Sequence, residues 1–243
     1  MASSRIASFN FKPGTVVDRT FAIERLLGRG WESEVYLVKE IDTNILRAAK
    51  FFFPHRNTDD RAAKRYSLKL HKLKNIPEVM DYLALRKTRH SGETITYILS
   101  EYIEGEILTK FLNSQPGKRL NQFTAVHLLY SIVSTLDAIH QLGEYHGDLH
   151  SDNIIIQGFG LHFQLKLLDM YYQKGRIKAN CDFDITNSIR IFYDALGGKR
   201  TYSKQPEEIK YIVSGLKHTQ ILKKFPTAAD LKYYLENLRW SEA

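Results

Sequence analysis

Cysteine is all but missing from this chain. Cys181 stands alone in 243 residues, so no disulfide forms within it, and a reducing, cytoplasmic setting is expected. A lone cysteine is more often a small packed residue than a reactive thiol, and Cys181 is given no role. Long apolar runs are missing too, since no stretch approaches the length of a membrane span. The opening M-A-S-S-R-I-A-S-F-N-F-K holds no continuous apolar segment of a secretory signal, and residues 1–15 are expected to form a short flexible leader. Repeats and low-complexity tracts are also absent. Acid is in deficit: 35 Lys and Arg against 27 Asp and Glu leave a formal charge of +8. That balance favours polyanionic company, whether nucleotides, acidic substrates, nucleic acid or an anionic surface, without choosing among them.

What is present is enough for one good core or two small lobes sharing a cleft. Residues 16 to 53 read as strands: Phe21–Leu27 runs into a glycine turn, Val35–Val38 follows, and Ile45–Phe53 comes after the turn-like Asp42-Thr43-Asn44. A helix is expected from Asp59 or Asp60 through Lys74, with Ala62, Tyr66, Leu70 and Leu73 on one face. Strand-like runs near Val79–Arg86 and Thr94–Tyr102 come next. After Gly105 the pattern turns helical, and Val126, Leu129, Ile132, Val133, Leu136 and Ile139 recur at helical spacing. Short strands are expected at Ile154–Gln157 and Phe163–Leu168, with helix from there to Trp240. The expected class is α+β and bilobal: a strand-rich lobe over 16–103, a mainly helical lobe over 104–243, and a ligand cleft between them.

The octet His146–Asn153, H-G-D-L-H-S-D-N, carries the clearest chemistry. It sets an Asp and an Asn five residues apart in one loop, between an apolar helix and Ile154-Ile155-Ile156. Phosphoryl transfer needs such a pair, a carboxylate to orient and deprotonate the attacking hydroxyl and a side-chain oxygen to hold a metal on the triphosphate. The octet resembles the catalytic loop of the protein-kinase-like superfamily, H-R-D-L-x-x-x-N, with Gly147 in place of Arg. The resemblance implies that Asp148 is the catalytic base and Asn153 a metal ligand. His146 reads as a packed scaffold residue and His150 as a solvated polar one.

Further segments extend the likeness in order along the chain. G-R-G-W-E-S-E-V, Gly28 to Val35, is similar to the kinase glycine-rich loop with Ser33 at the third glycine. Taken alone it reads equally as a plain β-turn. Glycines let backbone N–H groups approach phosphate oxygens with no Cβ in the way. A-A-K resembles the strand motif V-A-I-K, and period-two geometry puts Ala48 and Lys50 on one sheet face. By that likeness Lys50 binds the α- and β-phosphates as part of the catalytic set with Asp148 and Asn153, while Ala48 and Val35 touch the adenine. Leu99–Gly105 resembles the hinge, which implies adenine contacts from the Glu101 carbonyl and the Ile103 backbone, with Ser100 as a small gatekeeper. Asp169 in L-L-D-M-Y stands at the D-F-G aspartate and implies a second Mg²⁺ ligand. Asp184–Gly198 is similar to the helix whose Asp braces the catalytic loop, and Phe225–Leu231 to a late R-P-T-A-x-x-L stretch.

Two departures stand out. No Glu lies between Lys50 and Pro77, so the helix carboxylate that pairs with the strand Lys is missing near Tyr66 or Ser67. Lys50 is therefore expected to lean on Asp169, on the nucleotide or, less readily, on Asp59 or Asp60. That helix instead carries Arg61, Lys64, Arg65, Lys69, Lys72 and Lys74, read first as a solvated face and second as a docking surface for an acidic partner. Poor aromatic interleaving argues against nucleic-acid reading. Only fourteen residues separate Asp169 from Asp184, with no A-P-E among them. The resemblance implies an ATP- and Mg²⁺-dependent phosphotransferase acting on Ser/Thr hydroxyls of a protein. A small-molecule kinase of the aminoglycoside or choline type, suggested by H-G-D-L-H, and a nucleotide-binding pseudokinase are the alternatives.

Overall fold

The computed structural model describes residues 6–160 and 163–240. The chain divides into two compact units. One runs to Lys74 and includes Met80–Tyr102; the other joins Asn75–Val79 to the chain from Ile103 onward.

The first unit holds β1 (Val16–Val17), β2 (Phe21–Arg29), β3 (Ser33–Glu40), β4 (Leu46–Phe52), α1 (Arg61–Leu73), β5 (Tyr82–His90) and β6 (Glu93–Glu101). The strands form one antiparallel sheet in the order β1-β2-β3-β4-β6-β5. Alternation along β4 sorts its two faces. Ala49 and Phe51 enter an aromatic core with Phe21, Ile23, Tyr36, Phe53 and Tyr97, whereas Lys50 and Phe52 lie on the side of α1, where Tyr66 meets both. Helix α1 follows Asp60, whose side chain makes no capping bond; Asn57, three residues earlier, accepts the Ala63 N–H of the first turn at 3.1 Å.

The flexible leader expected over residues 1–15 is corrected for residues 6–15; residues 1–5 lie outside the described residues. Phe9 is buried in the aromatic core, stacking on Phe53 at 5.3 Å, and Phe11 packs edge-on against Phe51 at 5.0 Å. A polar clamp completes the attachment. The fully buried Glu34 carboxylate accepts the Phe9 N–H at 3.1 Å, the Ser8 hydroxyl at 2.8 Å and the Tyr36 hydroxyl at 2.6 Å, and pairs with Arg29 at 2.8 Å. Burial first, then the bond to Glu34, pushes the Tyr36 pKa up to about 12. Two rings and a buried acid outweigh the entropy that would free a terminal segment.

The second unit holds β7 (Glu106–Ile107), α2 (Leu108–Ser114), α3 (Gln122–Gln141), β8 (Ile154–Phe159), β9 (Phe163–Leu167), α4 (Ile177–Ala195), α5 (Glu207–Val213), α6 (His218–Lys224) and α7 (Ala228–Glu236). Helix α3 buries Leu128, Leu129, Ile132, Val133, Leu136 and Ile139 between α4 and α7, so its apolar residues serve packing. Asn121 caps it by accepting the Thr124 N–H at 2.8 Å. Val79, expected to start a strand of the first lobe, forms instead a parallel bridge to Leu167, whose N–H donates to the Glu78 carbonyl at 2.7 Å. The last helix ends at Glu236, short of the expected Trp240. Among the described residues no helix is long and apolar enough to cross a membrane.

Candidate active site

In the first unit the sheet register gathers the residues singled out in the sequence. Gly28 pairs with Val35, Val35 with Lys50, and Ala48 with Ser100, so these side chains occupy neighbouring positions on adjoining strands. Glu101 pairs with Arg47 at the end of β6, and its N–H donates to the Asp81 carbonyl at 3.1 Å. The Ser100 hydroxyl donates to the Ala48 carbonyl at 3.4 Å. Neither Gly28 nor Gly30 has a positive φ. A Cβ on Gly28 would meet nothing within 4 Å, and one on Gly30 only the Ser33 carbonyl at 3.9 Å. The fold itself does not require glycine at either position, and the open backbone fits an approaching phosphate. Ser33, at the third glycine position, is buried and offers no such opening.

Lys50 has two neighbours that sequence reasoning did not name for it. Its side chain is 11% exposed, and its Nζ lies 3.9 Å from Glu32 Oε1 and 4.6 Å from the centre of the Tyr66 ring. Tyr66 is one of the two positions, with Ser67, near which the helix carboxylate is expected, and a ring face attracts an ammonium group without carrying charge. Asp59 and Asp60 are engaged elsewhere. Asp59 pairs with Arg61 at 3.3 Å, and Asp60 with Lys87 at 2.7 Å and the Thr96 hydroxyl. The bond to Lys87 leads the causes that hold the Asp60 pKa below its ordinary value. Glu32 was in view within G-R-G-W-E-S-E-V, but only the turn geometry aims it at Lys50.

In the second unit the His146–Asn153 loop presents an exposed acid on a fixed backbone. The Asp148 carboxylate is 55% exposed and lies 3.7 Å from His150 Nε2. Its N–H donates to His146 Nδ1 at 3.2 Å, and His146 is fully buried, as fits a scaffold residue. Asn153 donates its amide nitrogen to the Asp148 carbonyl at 2.9 Å, which turns its oxygen toward other duty. Ile154 pairs with Leu167, and the Leu168 N–H donates to the Asn153 carbonyl at 2.8 Å, so Asp169 follows directly beside Asn153. Asp169 has φ +53, a backbone state that Asp tolerates at a cost and that recurs at functional sites. Ile103 is buried at the start of this unit.

Asp184 fixes that loop. From within α4 its Oδ2 accepts the His146 N–H at 2.6 Å and its Oδ1 accepts the Gly147 N–H at 3.0 Å. His140 of α3 closes on the same carboxylate at 3.1 Å. Burial alone would lower the His140 pKa, but Asp184, helped by Cys181, overrides it and carries the ring up to about 9. A charged histidine thus balances a buried acid whose oxygens are already committed to the loop. Nothing in helical periodicity announces this pair, forty-four residues apart.

The geometry also explains Gly147. Its φ is +89, and a Cβ there would sit 2.6 Å from the Tyr171 carbonyl and 3.0 Å from the Tyr145 ring. The chain just after Asp169 is strapped onto the loop: the Tyr145 hydroxyl donates to the Gln173 carbonyl at 2.8 Å, and Gln173 Nε2 donates to the Gly147 carbonyl at 2.6 Å. An arginine cannot emerge where that strap lies. The missing Arg and the short segment before α4 are therefore one structural fact.

Asn153 and Asp169 offer two oxygen ligands on adjoining strand ends. Among the described residues no three His, Cys, Asp or Glu side chains gather into a self-sufficient metal cage. That suits Mg²⁺, which binds through one or two protein ligands, water and substrate phosphates.

The family profile of the protein kinase domain matches residues 21–189. The chain is 25% identical over 201 residues to "Probable serine/threonine-protein kinase YbdM" of Bacillus subtilis, covering 78% of this chain and 75% of that protein. It is 24% identical over 158 residues to the serine/threonine-protein kinase YabT of the same organism, covering 61% of this chain but 44% of that protein. Among solved structures, the kinase domain of M. tuberculosis PknI shares the fold at a TM-score of 0.67 and 15% identity, with 93% of this chain and 98% of that one covered.

Proposed function

This chain belongs to the protein kinase family, and we propose that it passes the γ-phosphoryl group of ATP to a serine or threonine hydroxyl of a protein in the cytoplasm. Family membership makes it a phosphotransferase; the donor, the metal and the acceptor are the proposal. The observation that carries it is the loop in which an exposed Asp148 stands on a backbone pinned by Asp184, with Asn153 bonded behind it.

Each residue has a separable task. Asp148 accepts the proton of the attacking hydroxyl, and its exposure leaves it open to a substrate. Asn153 and Asp169 are the oxygen donors for Mg²⁺, which when bound neutralises charge on the triphosphate. Lys50 engages phosphate oxygens, and the open backbone at Gly28 and Gly30 admits them. Val35 and Ala48 flank the adenine, and the Glu101 carbonyl and Ile103 backbone take its polar edge.

A second reading, a kinase of small alcohols, is favoured by one observation: only residues 170–176 lie between Asp169 and α4, and Gln173 of that segment is bonded to the loop. Little chain is left there for a peptide platform. The test is γ-labelled ATP with Mg²⁺, offered in parallel a whole-cell protein extract and a panel of aminoglycosides and amino alcohols. Label appearing on serine or threonine of proteins supports the first reading. Strong ADP release on one small alcohol, with no protein labelled, displaces it. Nucleotide binding without any transfer leaves a pseudokinase.

A further inference from the structure

Lys50 needs an anion, and the helix that supplies one elsewhere in the family does not do so here. From Arg61 to Leu73, α1 carries no acid, and the residue it turns toward Lys50 is Tyr66. A carboxylate does reach Lys50, from the glycine turn: Glu32 Oε1 stands 3.9 Å from Nζ, with the side chains only 17% and 11% exposed. The turn is fastened on both sides. Trp31 faces the other way and takes the Arg56 guanidinium over its ring at 3.7 Å, and the Phe53 N–H donates to the Glu32 carbonyl at 2.9 Å. Successive residues of the turn are thus gripped from outside and inside, which draws the turn over β4.

We propose that Glu32 is a positioning residue and a built-in counter-ion: it holds Lys50 and closes the glycine turn until nucleotide phosphate takes its place. The inference rests on the phosphotransferase reading for its ligand, though not for the ion pair itself. A weakly exposed ammonium group is costly without an anion, so Lys50 keeps one in either state. Phosphate oxygens carry more charge than one carboxylate and win the exchange. Glu32 then swings outward and the turn opens, so the part of the protein that senses nucleotide is the turn rather than the helix. Bound phosphate must displace an acid, which makes affinity for the polyphosphate lower than the cleft alone would give. Adenosine, with no phosphate, leaves the pair closed.

The test compares the full chain with its Glu32→Gln variant, which keeps the size and hydrogen-bonding reach of the side chain but not its charge. The first readout needs no nucleotide. Isotope-labelled acetic anhydride, read by mass spectrometry at Lys50, should modify the variant several times faster than the wild type, because the turn no longer closes on the amine. Equal rates would overturn the pair. The second readout is calorimetric binding of Mg²⁺-free ATP and of adenosine. The variant should bind ATP about two- to fivefold tighter, the range for one partly screened ion pair, and adenosine equally well. Weaker ATP binding, or the same gain for adenosine, would overturn the exchange. If the wild type bound neither ligand, the phosphotransferase reading would fall while the acetylation result still judged the ion pair.

Discussion

The two groups that handle charge in this protein are built in opposite ways. Lys50 is held by a 3.9 Å ion pair to a residue on a turn and by an aromatic face. The Asp148 loop is held by a buried carboxylate with two backbone bonds, the longer at 3.0 Å, and a charged histidine. A long, turn-borne ion pair is easy to exchange. A short, buried, multiply bonded one is not, because every oxygen withdrawn leaves a buried donor unpaired. The Lys50 contact is built to change partners, and the Asp148 loop is built to stay put.

The largest effect should come from breaking the fixed side. Asp184→Asn removes the charge that His140 and the two loop N–H groups share, and should cost about 3–5 kcal/mol in urea unfolding, as for other broken buried pairs. A loss below about 1 kcal/mol would mean the loop does not depend on that carboxylate.

Raising the pH attacks the same pair from the histidine. Its folded pKa, about 9, lies above the ordinary 6.5. The pair's contribution is therefore complete below pH 6.5 and is lost as pH climbs through 9. On the order of 3 kcal/mol of stability is involved. The stability gap between wild type and His140→Gln should accordingly shrink between pH 6 and pH 10, with guanidinium titrations at each pH as the check.

Two glycines sharpen the contrast further. Gly147→Ala puts a Cβ 2.6 Å from the Tyr171 carbonyl at a positive φ, and should destabilise by about 2–3 kcal/mol while displacing the loop. Gly28→Ala meets nothing within 4 Å. It should change stability by less than about 1 kcal/mol and act on nucleotide affinity alone. Thermal melts with and without ATP separate the two outcomes, and a Gly28→Ala variant that melts early would erase the distinction.

How much of this was legible in the sequence follows the same division. The loop could be read because Asp148, Asn153 and their flanking apolar runs are contiguous, and the strands because β4 and β6 are short apolar and aromatic runs bounded by turn residues. The support of the loop was half legible: Asp184 sits in a recognisable helix segment, but His140 faces it only because α3 and α4 pack at one angle. Glu32 was hidden because the direction of a turn side chain depends on turn geometry, which spacing does not encode. Phe9 and Phe11 looked like a loose end because two rings make no periodicity, and only the sheet face they cover reveals their purpose. Val79 has the composition of a strand, but a single bridge to Leu167 draws it into the other unit.

The most direct measurement compares kcat and ATP affinity for the wild type and Asp148→Asn, with Lys50→Ala alongside. The account predicts that Asp148→Asn lowers transfer about 10²- to 10⁴-fold with ATP affinity unchanged, while Lys50→Ala weakens ATP and leaves the fold intact. Undiminished transfer in Asp148→Asn would contradict it, as would normal ATP binding in Lys50→Ala.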